Sequence, residues 1–470
     1  MKIAQIAPLW ESVPPVLYGG TERVVSFITE ELVRQGHEVT LFASGDSTTQ
    51  ARLMPMCGEA LRPSKVVMNY EAPLTAMIEK VFSSAAEYDL IHSHLEFIPF
   101  PLAKRCRTPM LTTLHARLDQ PELIPVFRKF ADLPLVSVSE AQREPLPWAN
   151  WLATIHPGVP SSLYTPRYNQ GQYLVFLGRV APEKGLDRAI EIAKRVEMPI
   201  RIGAKIDAQH VEYYKSVIEP LLEHPLVEFV GEVTDLEKDD LLGEAYALLA
   251  PYAWPEPFGL ALTEALACGT PVIASRCGAI PEIIEHGVTG FLCDSLEEMT
   301  QSIRHVPLLE RTRCRKAFDM RFTAERMAQE YVTVYGQILG VPDSATTVIR
   351  HGFRLACFRP GLTLSPIHEG QVLFGAPALL EPSRFSTYRL LLGLPPSNPG
   401  AFPGGRPLVP DGPPPPTDSS PMDPVASGPF CPGTPGFPGT VGASRTCPIL
   451  SLYSWRSGDL SLLLLIGRAF

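Results

Sequence analysis

The side chains best placed to do chemistry are two glutamates eight residues apart, Glu256 and Glu264, in the segment AWPEPFGLALTEALACGTPVIA at 253–274. Pro255 and Pro257 hold the backbone around Glu256 extended, so it belongs to a loop, whereas Gly259 onward reads as a helix stopped by Gly269. Glu264 then lies near the second turn of that helix. The free N–H groups of Phe258, Gly259 and Leu260 at the helix start suit an anionic oxygen. A carboxylate on either side accepts hydrogen bonds from ligand hydroxyls, because ionised glutamate is acceptor-only. Taken alone, such a pair is also what ordinary surface or capping carboxylates look like.

Two cations form a second group. In LGRVAPEKGL, residues 177–186, Arg179 and Lys184 follow an apolar strand, a place from which to meet phosphate by charge-assisted hydrogen bonds. The plainer reading is an ion pair from Lys184 to Glu183 or Asp187. YGGTER at 18–23 puts Gly20 where backbone can approach a ligand and Thr21 where it can cap a helix, although a tight turn explains a Gly-Gly pair equally well. No Gly-x-Gly-x-x-Gly follows the first strand, which counts against a nicotinamide dehydrogenase. His115 ends the strand at 110–114. His92 and His94 share a strand face as metal ligands would, but spacing supplies no third ligand, so no metal is expected.

These residues need a scaffold, and the apolar pattern describes one. Short apolar runs alternate with longer periodic segments, the signature of βαβ units about a parallel sheet. Strands are expected at 3–7, 37–43, 90–92, 110–114 and 135–138, with Val24, Val25, Ile28, Leu32 and Val33 forming a helix face that Gly36 ends. A turn-rich connector at 157–172 leads to a second series, with strands at 173–177, 200–202, 227–230, 247–250 and 272–274 and a loop opening at Gly178 and Arg179. Residues 323–339 read as a closing helix. The expectation is an α/β protein with two Rossmann-like, doubly wound domains, 1–160 and 161–322, a closing helix at 323–340 and a tail at 341–470. Ligands of open parallel sheets bind at the carboxyl ends of the strands, so the site should face the cleft between the domains.

The 253–274 segment closely resembles the Glu-x7-Glu motif of the retaining nucleotide-sugar glycosyltransferases of family four (group 1), which have the GT-B fold. The Gly-Arg loop and Lys-Gly turn at 178–185 and the glycine loop at 18–23 resemble the same family, with smaller matches at 138–143, 231–233, 278–284 and 287–291. Together they extend over nearly all of residues 1–340. The departure is His156-Pro157-Gly158-Val159-Pro160, at the expected hinge, where many relatives have Asn-Gly-Ile-Asp. The resemblance implies that Glu256 faces the donor sugar, Glu264 binds the ribose hydroxyls, and Arg179 and Lys184 meet the charge on the departing diphosphate. It further implies that Gly20 lets backbone approach the donor phosphate or the acceptor, that His115 contacts the donor sugar, and that Phe258, Gly259 and Leu260 complete the donor site. The implied reaction moves a hexose from a nucleoside diphosphate sugar, UDP-glucose in the first place, to a hydroxyl of a small molecule or glycan. The sugar nucleotide is then a co-substrate and no resident cofactor is needed; the Asp-x-Asp signature of metal-dependent GT-A enzymes is absent. Two rivals share the motifs: another GT-B enzyme, such as a sugar-nucleotide epimerase or a phosphorylase, and a weakly catalytic sugar-nucleotide binder whose tail recruits partners.

Composition sets the outer limits. Residues 1–340 hold 32 Lys and Arg against 43 Asp and Glu, which offers no general attraction for nucleic acid or anionic lipid. A basic cluster at Arg311, Arg313, Arg315 and Lys316 reads as a solvated helix face, with peripheral membrane contact as the other reading. No run approaches the ~20 apolar residues of a membrane span, and nine cysteines without a Cys-x-x-Cys pair suit reduced thiols in a cytoplasm. Of the 49 prolines, 22 lie beyond residue 340 together with 16 glycines and no lysine. That composition predicts disorder for 341–470, and it is also what out-of-frame translation of GC-rich DNA produces.

Overall fold

Among the described residues thirteen short strands are all paired in parallel, and ten of them are built from the apolar runs just described. The computed structural model describes residues 1–64 and 69–341, which fall within one compact unit; the expected disorder of the tail lies outside them. The first sheet comprises β1 (Lys2–Ile6), β2 (Glu38–Ala43), β3 (Arg52–Pro55), β4 (Leu90–Ser93), β5 (Met110–Leu114), β6 (Leu135–Ser137) and β7 (Trp151–Thr154), in the order β3-β2-β1-β4-β5-β6-β7. The second comprises β8 (Leu174–Arg179), β9 (Ile200–Lys205), β10 (Val227–Gly231), β11 (Ala247–Ala250), β12 (Val272–Ser275) and β13 (Gly290–Cys293), in the order β10-β9-β8-β11-β12-β13. The inner strands are buried on both faces, as parallel strands covered by helices must be. Strand order reverses beside β1 and again beside β8, so the crevices where such sheets take ligands open after these two strands. The glycine pair Gly19-Gly20 follows the first, and the loop to Lys184 follows the second.

Three local expectations need correction. Helix α1 (Gly20–Arg34) begins at Gly20 and is capped by Gly19 without a side-chain hydrogen bond, so Thr21 lies inside the helix and is not its cap. Strand β8 runs on through Gly178 to Arg179, which pairs with Lys205 of β9, so the loop opens two residues later than expected. The basic cluster on helix α2 (Arg311–Arg321) is half structural: Arg311 is buried and donates to the carbonyls of Arg167, Gly243 and Ala245 and to Thr270 Oγ1. Arg315 likewise donates to the carbonyls of Ser161, Tyr164 and Ala267. Neither guanidinium is available to a membrane surface. Among the described residues no helix is long and apolar enough to cross a membrane.

The closing helix α3 (Ala324–Leu339) starts at Thr323, whose hydroxyl accepts from Arg326 N, and ends at Gly340 in the left-handed conformation. It returns to the first sheet. Tyr331 OH is 2.9 Å from Thr113 Oγ1 on β5, and Tyr335 OH is 2.8 Å from His92 Nδ1 on β4. The chain therefore crosses between the two halves twice, and the crossings touch: Val159 N donates to Phe322 O and Ala324 N to Val159 O, both at 2.9 Å. Gly158 sits where a Cβ would lie 2.2 Å from Thr323 O, so this close approach requires the one residue that the segment at 156–160 has in common with Asn-Gly-Ile-Asp, its glycine.

Candidate active site

A cleft of about 190 Å³ opens beyond β1 and β8, and Gly20, Arg179, Lys184, Glu256, Gly259, Leu260 and Glu264 all line it. Residues as far apart in sequence as Gly20 and Glu264 thus converge on one space. Lys184 closes the short turn Pro182–Lys184, and Gly185 behind it has φ +70°; a Cβ there would meet Pro251 O at 2.3 Å. This backs the lysine against the wall of the cleft. Its ammonium lies 4.7 Å and 5.2 Å from the ring centroids of Tyr252 and Trp254 and donates to Glu256 Oε2 at 2.7 Å. Neither Glu183 nor Asp187 is its partner, which corrects the plainer reading; Glu183 pairs instead with Arg179 at 3.4 Å. Arg179 is held from the other side by Asp207 at 3.2 Å.

Glu256 is presented by the extended Pro-Glu-Pro loop and is 9% exposed. Trp254 Nε1 donates to the same Oε2 at 2.6 Å, which leaves Oε1 without a partner among the described residues. Gly278 at φ +52° packs so closely on this loop that a Cβ would lie 2.4 Å from Glu256 N and O, and Ala279 N donates to Glu256 O. The loop is therefore clamped from behind by backbone. Helix α4 (Leu260–Ala267) starts from Gly259 at φ +97° and places Glu264 on its second turn, 3% exposed. Glu264 Oε1 accepts from Lys238 Nζ at 2.6 Å and from Tyr164 OH at 3.0 Å. Burial, with Glu264 and Asp235 close by, pushes the Tyr164 hydroxyl well above its ordinary pKa, so it stays a donor.

Two predicted residues stand apart from the cleft lining. Phe258 is buried, its ring packed 5.7 Å from His156 and 6.2 Å from Phe322, where it fills the hinge. His115, half-buried at the end of β5, joins His94 at 2.9 Å. Its backbone N–H donates to Glu96 Oε1 at 2.8 Å, and Glu96 itself adopts φ +51°, a strained conformation for a glutamate. Burial pulls the His115 pKa down to about 4, so the ring is neutral at pH 7. His92 uses Nε2 on Thr113 and Nδ1 on Tyr335. Among the described residues no group of three His, Cys, Asp or Glu is placed to hold a metal ion.

Sequence reasoning missed Lys238, Tyr164, Arg23 and Asp235, which form a chain around Glu264, with Lys238 and Arg23 themselves on the cleft lining. Lys238 also pairs with Asp235 at 2.9 Å, and Asp235 with Arg23 of α1, so the chain bridges the two halves. A signal existed: Thr234 and Glu237 form a capping box, which fixes the start of a helix at Asp235 and puts Lys238 on its first turn. Glu11 and Lys205 make a second bridge at 3.1 Å.

Residues 18–159 match the sequence model described as Glycosyltransferase Family 4, and residues 165–318 match that of Glycosyl transferases group 1. The chain belongs to the family 4 glycosyltransferases. It is a group 1 enzyme of the GT-B type that uses nucleotide sugars. The first matched segment ends at the hinge, where Gly158 touches Thr323, just beyond the end of the second. The chain is 24% identical over 396 residues to glycogen synthase of Mycobacterium tuberculosis, covering 71% of this chain and 94% of that protein. A shorter stretch of 115 residues is 35% identical to N-acetyl-alpha-D-glucosaminyl L-malate synthase of Bacillus anthracis, 22% of this chain and 30% of that one. The family 4 fold is also that of Anabaena HepE, solved in complex with UDP-glucose: TM-score 0.55, 21% identity, 72% of this chain and all of the other.

Proposed function

We propose that the enzyme transfers glucose from UDP-glucose to an acceptor hydroxyl with retention of anomeric configuration. The observation that supports this most is the shared position of Lys184 and Glu256 on the cleft: a cation for the leaving diphosphate and a carboxylate for the sugar, 2.7 Å apart. With the donor bound, its diphosphate lies against Arg179, Lys184 and the start of α4, where Gly259 and Leu260 line the cleft. Gly20 admits the donor from the side of α1. The ribose hydroxyls donate to Glu264, and a sugar hydroxyl to the free Oε1 of Glu256. His115 lies outside the cleft lining at the end of β5, and its contact with the donor sugar rests on the family resemblance.

The C1–O bond to the diphosphate breaks first in extent, its electron pair passing to the phosphate oxygen, and the sugar becomes oxocarbenium-like. Arg179 and Lys184 stabilise the charge that develops there. The acceptor oxygen attacks from the same face and its proton passes to the departing phosphate oxygen, so neither a covalent nucleophile nor a resident cofactor is required, and the leaving charge is met by side chains in place of a metal. Six free cysteines among the described residues fit a reducing cytoplasm.

The decisive experiment supplies the protein with UDP-glucose, GDP-mannose and a panel of small-molecule and glycan acceptors, with product stereochemistry read by NMR. An α-linked glucoside is expected. A β-linked product overturns retention, and preference for GDP-mannose overturns the donor. Free sugar or sugar phosphate released without an acceptor indicates an epimerase or phosphorylase. Donor binding without turnover, unchanged in Glu256→Ala, indicates a binding protein.

A further inference from the structure

Gln5, His94 and His115 form a hydrogen-bonded chain from the centre of the first sheet to the end of β5. Gln5 Nε2 lies 3.2 Å from His94 Nε2, and His94 Nδ1 lies 2.9 Å from His115 Nε2. Gln5 and His94 are buried. The remaining ring nitrogen, His115 Nδ1, has no partner among the described residues and is not one of the buried unpaired atoms, so it reaches solvent.

The chain has a direction. An amide nitrogen only donates, so His94 Nε2 accepts and the one proton of the neutral His94 ring sits on Nδ1. That N–H donates to His115 Nε2, which places the His115 proton on Nδ1. Turning the Gln5 amide over would reverse every step, but it would orphan both N–H donors of a buried amide. The orientation present leaves Oε1 and one N–H unpaired, so it orphans one buried N–H fewer, and an under-satisfied carbonyl oxygen is the commoner buried exception. Burial holds His94 well below its ordinary pKa, with His92 and His115 adding to the effect, and neither ring of the pair takes a second proton at pH 7. His92 cannot divert the chain. Its ring lies 4.3 Å from that of His94, but both its nitrogens are occupied by Thr113 and Tyr335. Glu96 fixes the backbone beneath His115.

We infer that Gln5 and His94 are positioning residues that lock His115 in its Nδ1–H tautomer, so that it offers the donor sugar a hydrogen-bond donor and no acceptor. The functional half of this inference rests on the reading of His115 as a donor-sugar contact. The ligand group it selects is an oxygen able to accept, so a sugar lacking the hydroxyl at that point loses the contact altogether.

The test uses the full chain labelled with 15N-histidine at pH 7, where proton-coupled nitrogen shifts report tautomers directly. His94 and His115 are both expected as Nδ1–H. In His94→Asn the side-chain Nδ2 stands where Nδ1 stood and His115 keeps its tautomer; in His94→Phe the donor is gone and the His115 signals change. With UDP-glucose, kcat is expected to fall about tenfold in His94→Phe, the size of one lost hydrogen bond, with the acceptor KM unchanged, and to recover in His94→Asn. Gln5→Met, which removes the donor at the other end without touching a ring, should release the tautomer as well and serves if His94→Phe does not fold. An Nε2–H or doubly protonated His115 in the unaltered protein overturns the lock. A lost tautomer with unchanged kcat overturns its role in transfer. Failure of UDP-glucose turnover in the unaltered protein refutes the reaction and leaves the tautomer reading standing on the spectra alone.

Discussion

Lys184 is buried against two aromatic rings and held by a single carboxylate, which makes it the side chain whose removal should separate chemistry from folding. In Lys184→Ala, Glu256 keeps its bond from Trp254 and its clamped backbone, so the loop has reason to stay in place. The leaving diphosphate loses a charge-assisted donor that acts mostly as its bond breaks. A fall in kcat of about 10²–10³ is expected, with donor KM changed far less; a change confined to KM would show that Lys184 merely binds. A second residue-scale prediction concerns Glu22, which burial pushes up to about 7, its backbone hydrogen bonds and Arg62 opposing. Its folded pKa lies above the unfolded value of 4.5, so its share of stability is complete below pH 4.5 and is lost as pH rises through 7. Glu22→Gln should therefore be more stable than the parent at pH 8, by up to about 3 kcal/mol, and gain nothing at pH 4.5. Denaturant midpoints at the two pH values check this. His92 and His115, pulled down to about 3 and about 4 by burial, act in the opposite direction below pH 6.5, and they cancel in the comparison because both proteins share them.

Elements explain what was legible in the sequence and what was not. Interior strands such as Val272–Ser275, which opens on three apolar residues, and the wholly apolar Ala247–Ala250 were readable, because both faces are covered. The three strands that escaped, β3, β7 and β13, are all sheet edges. Arg52–Pro55 and Trp151–Thr154 are only half-buried, and Gly290–Cys293 opens with a glycine pressed 2.0 Å, by its would-be Cβ, from Val272 O. The candidate site was legible where a residue type is tied to a local break, as with Glu256 between prolines. It was not legible where partners come from distant elements, as with Lys238 and Tyr164 around Glu264. Glu282 is another such case: its carboxylate accepts from the amides of Glu140 and Ala141, capping the first turn of Glu140–Arg143 from the opposite half, and it is joined by His156 Nε2 at 3.0 Å. Burial raises its pKa, but His156 and the two amides outweigh this and hold it below the ordinary value. The staple is thus present above about pH 4.5 and is lost as pH falls through the lowered folded pKa. Glu282→Ala should cost about 1–2 kcal/mol, the value of a lost cap. Because the contact joins the two halves, it should also raise KM and lower kcat together. An altered melting temperature with intact kinetics would assign Glu282 to stability alone.

At the scale of the whole molecule, the last described helix decides where the chain can be divided. Helix α3 belongs to the first sheet, through Tyr331 and Tyr335, although it follows the second in sequence. A division at residue 322 would therefore strip the first half of a packed face, expose His92 and remove Met327, Tyr331 and Tyr335 from a core they share with α1. A division after Val341 removes none of these. Both sheets, both crossings at Gly158 and Thr323, and a complete cleft lining are present among the described residues, which end at Val341. The hydrophobic clusters of the described residues close among themselves within the same span. The chain ending at Val341 is therefore expected to fold with one cooperative transition and to match the full chain in kcat and KM within about twofold. The chain ending at Phe322 is expected to be insoluble or to lose most of its stability, because three large buried side chains at about 1.5–3 kcal/mol each are a large part of a typical 5–15 kcal/mol. If ending at Val341 abolishes turnover while the melting transition survives, residues beyond 341 take part in the reaction.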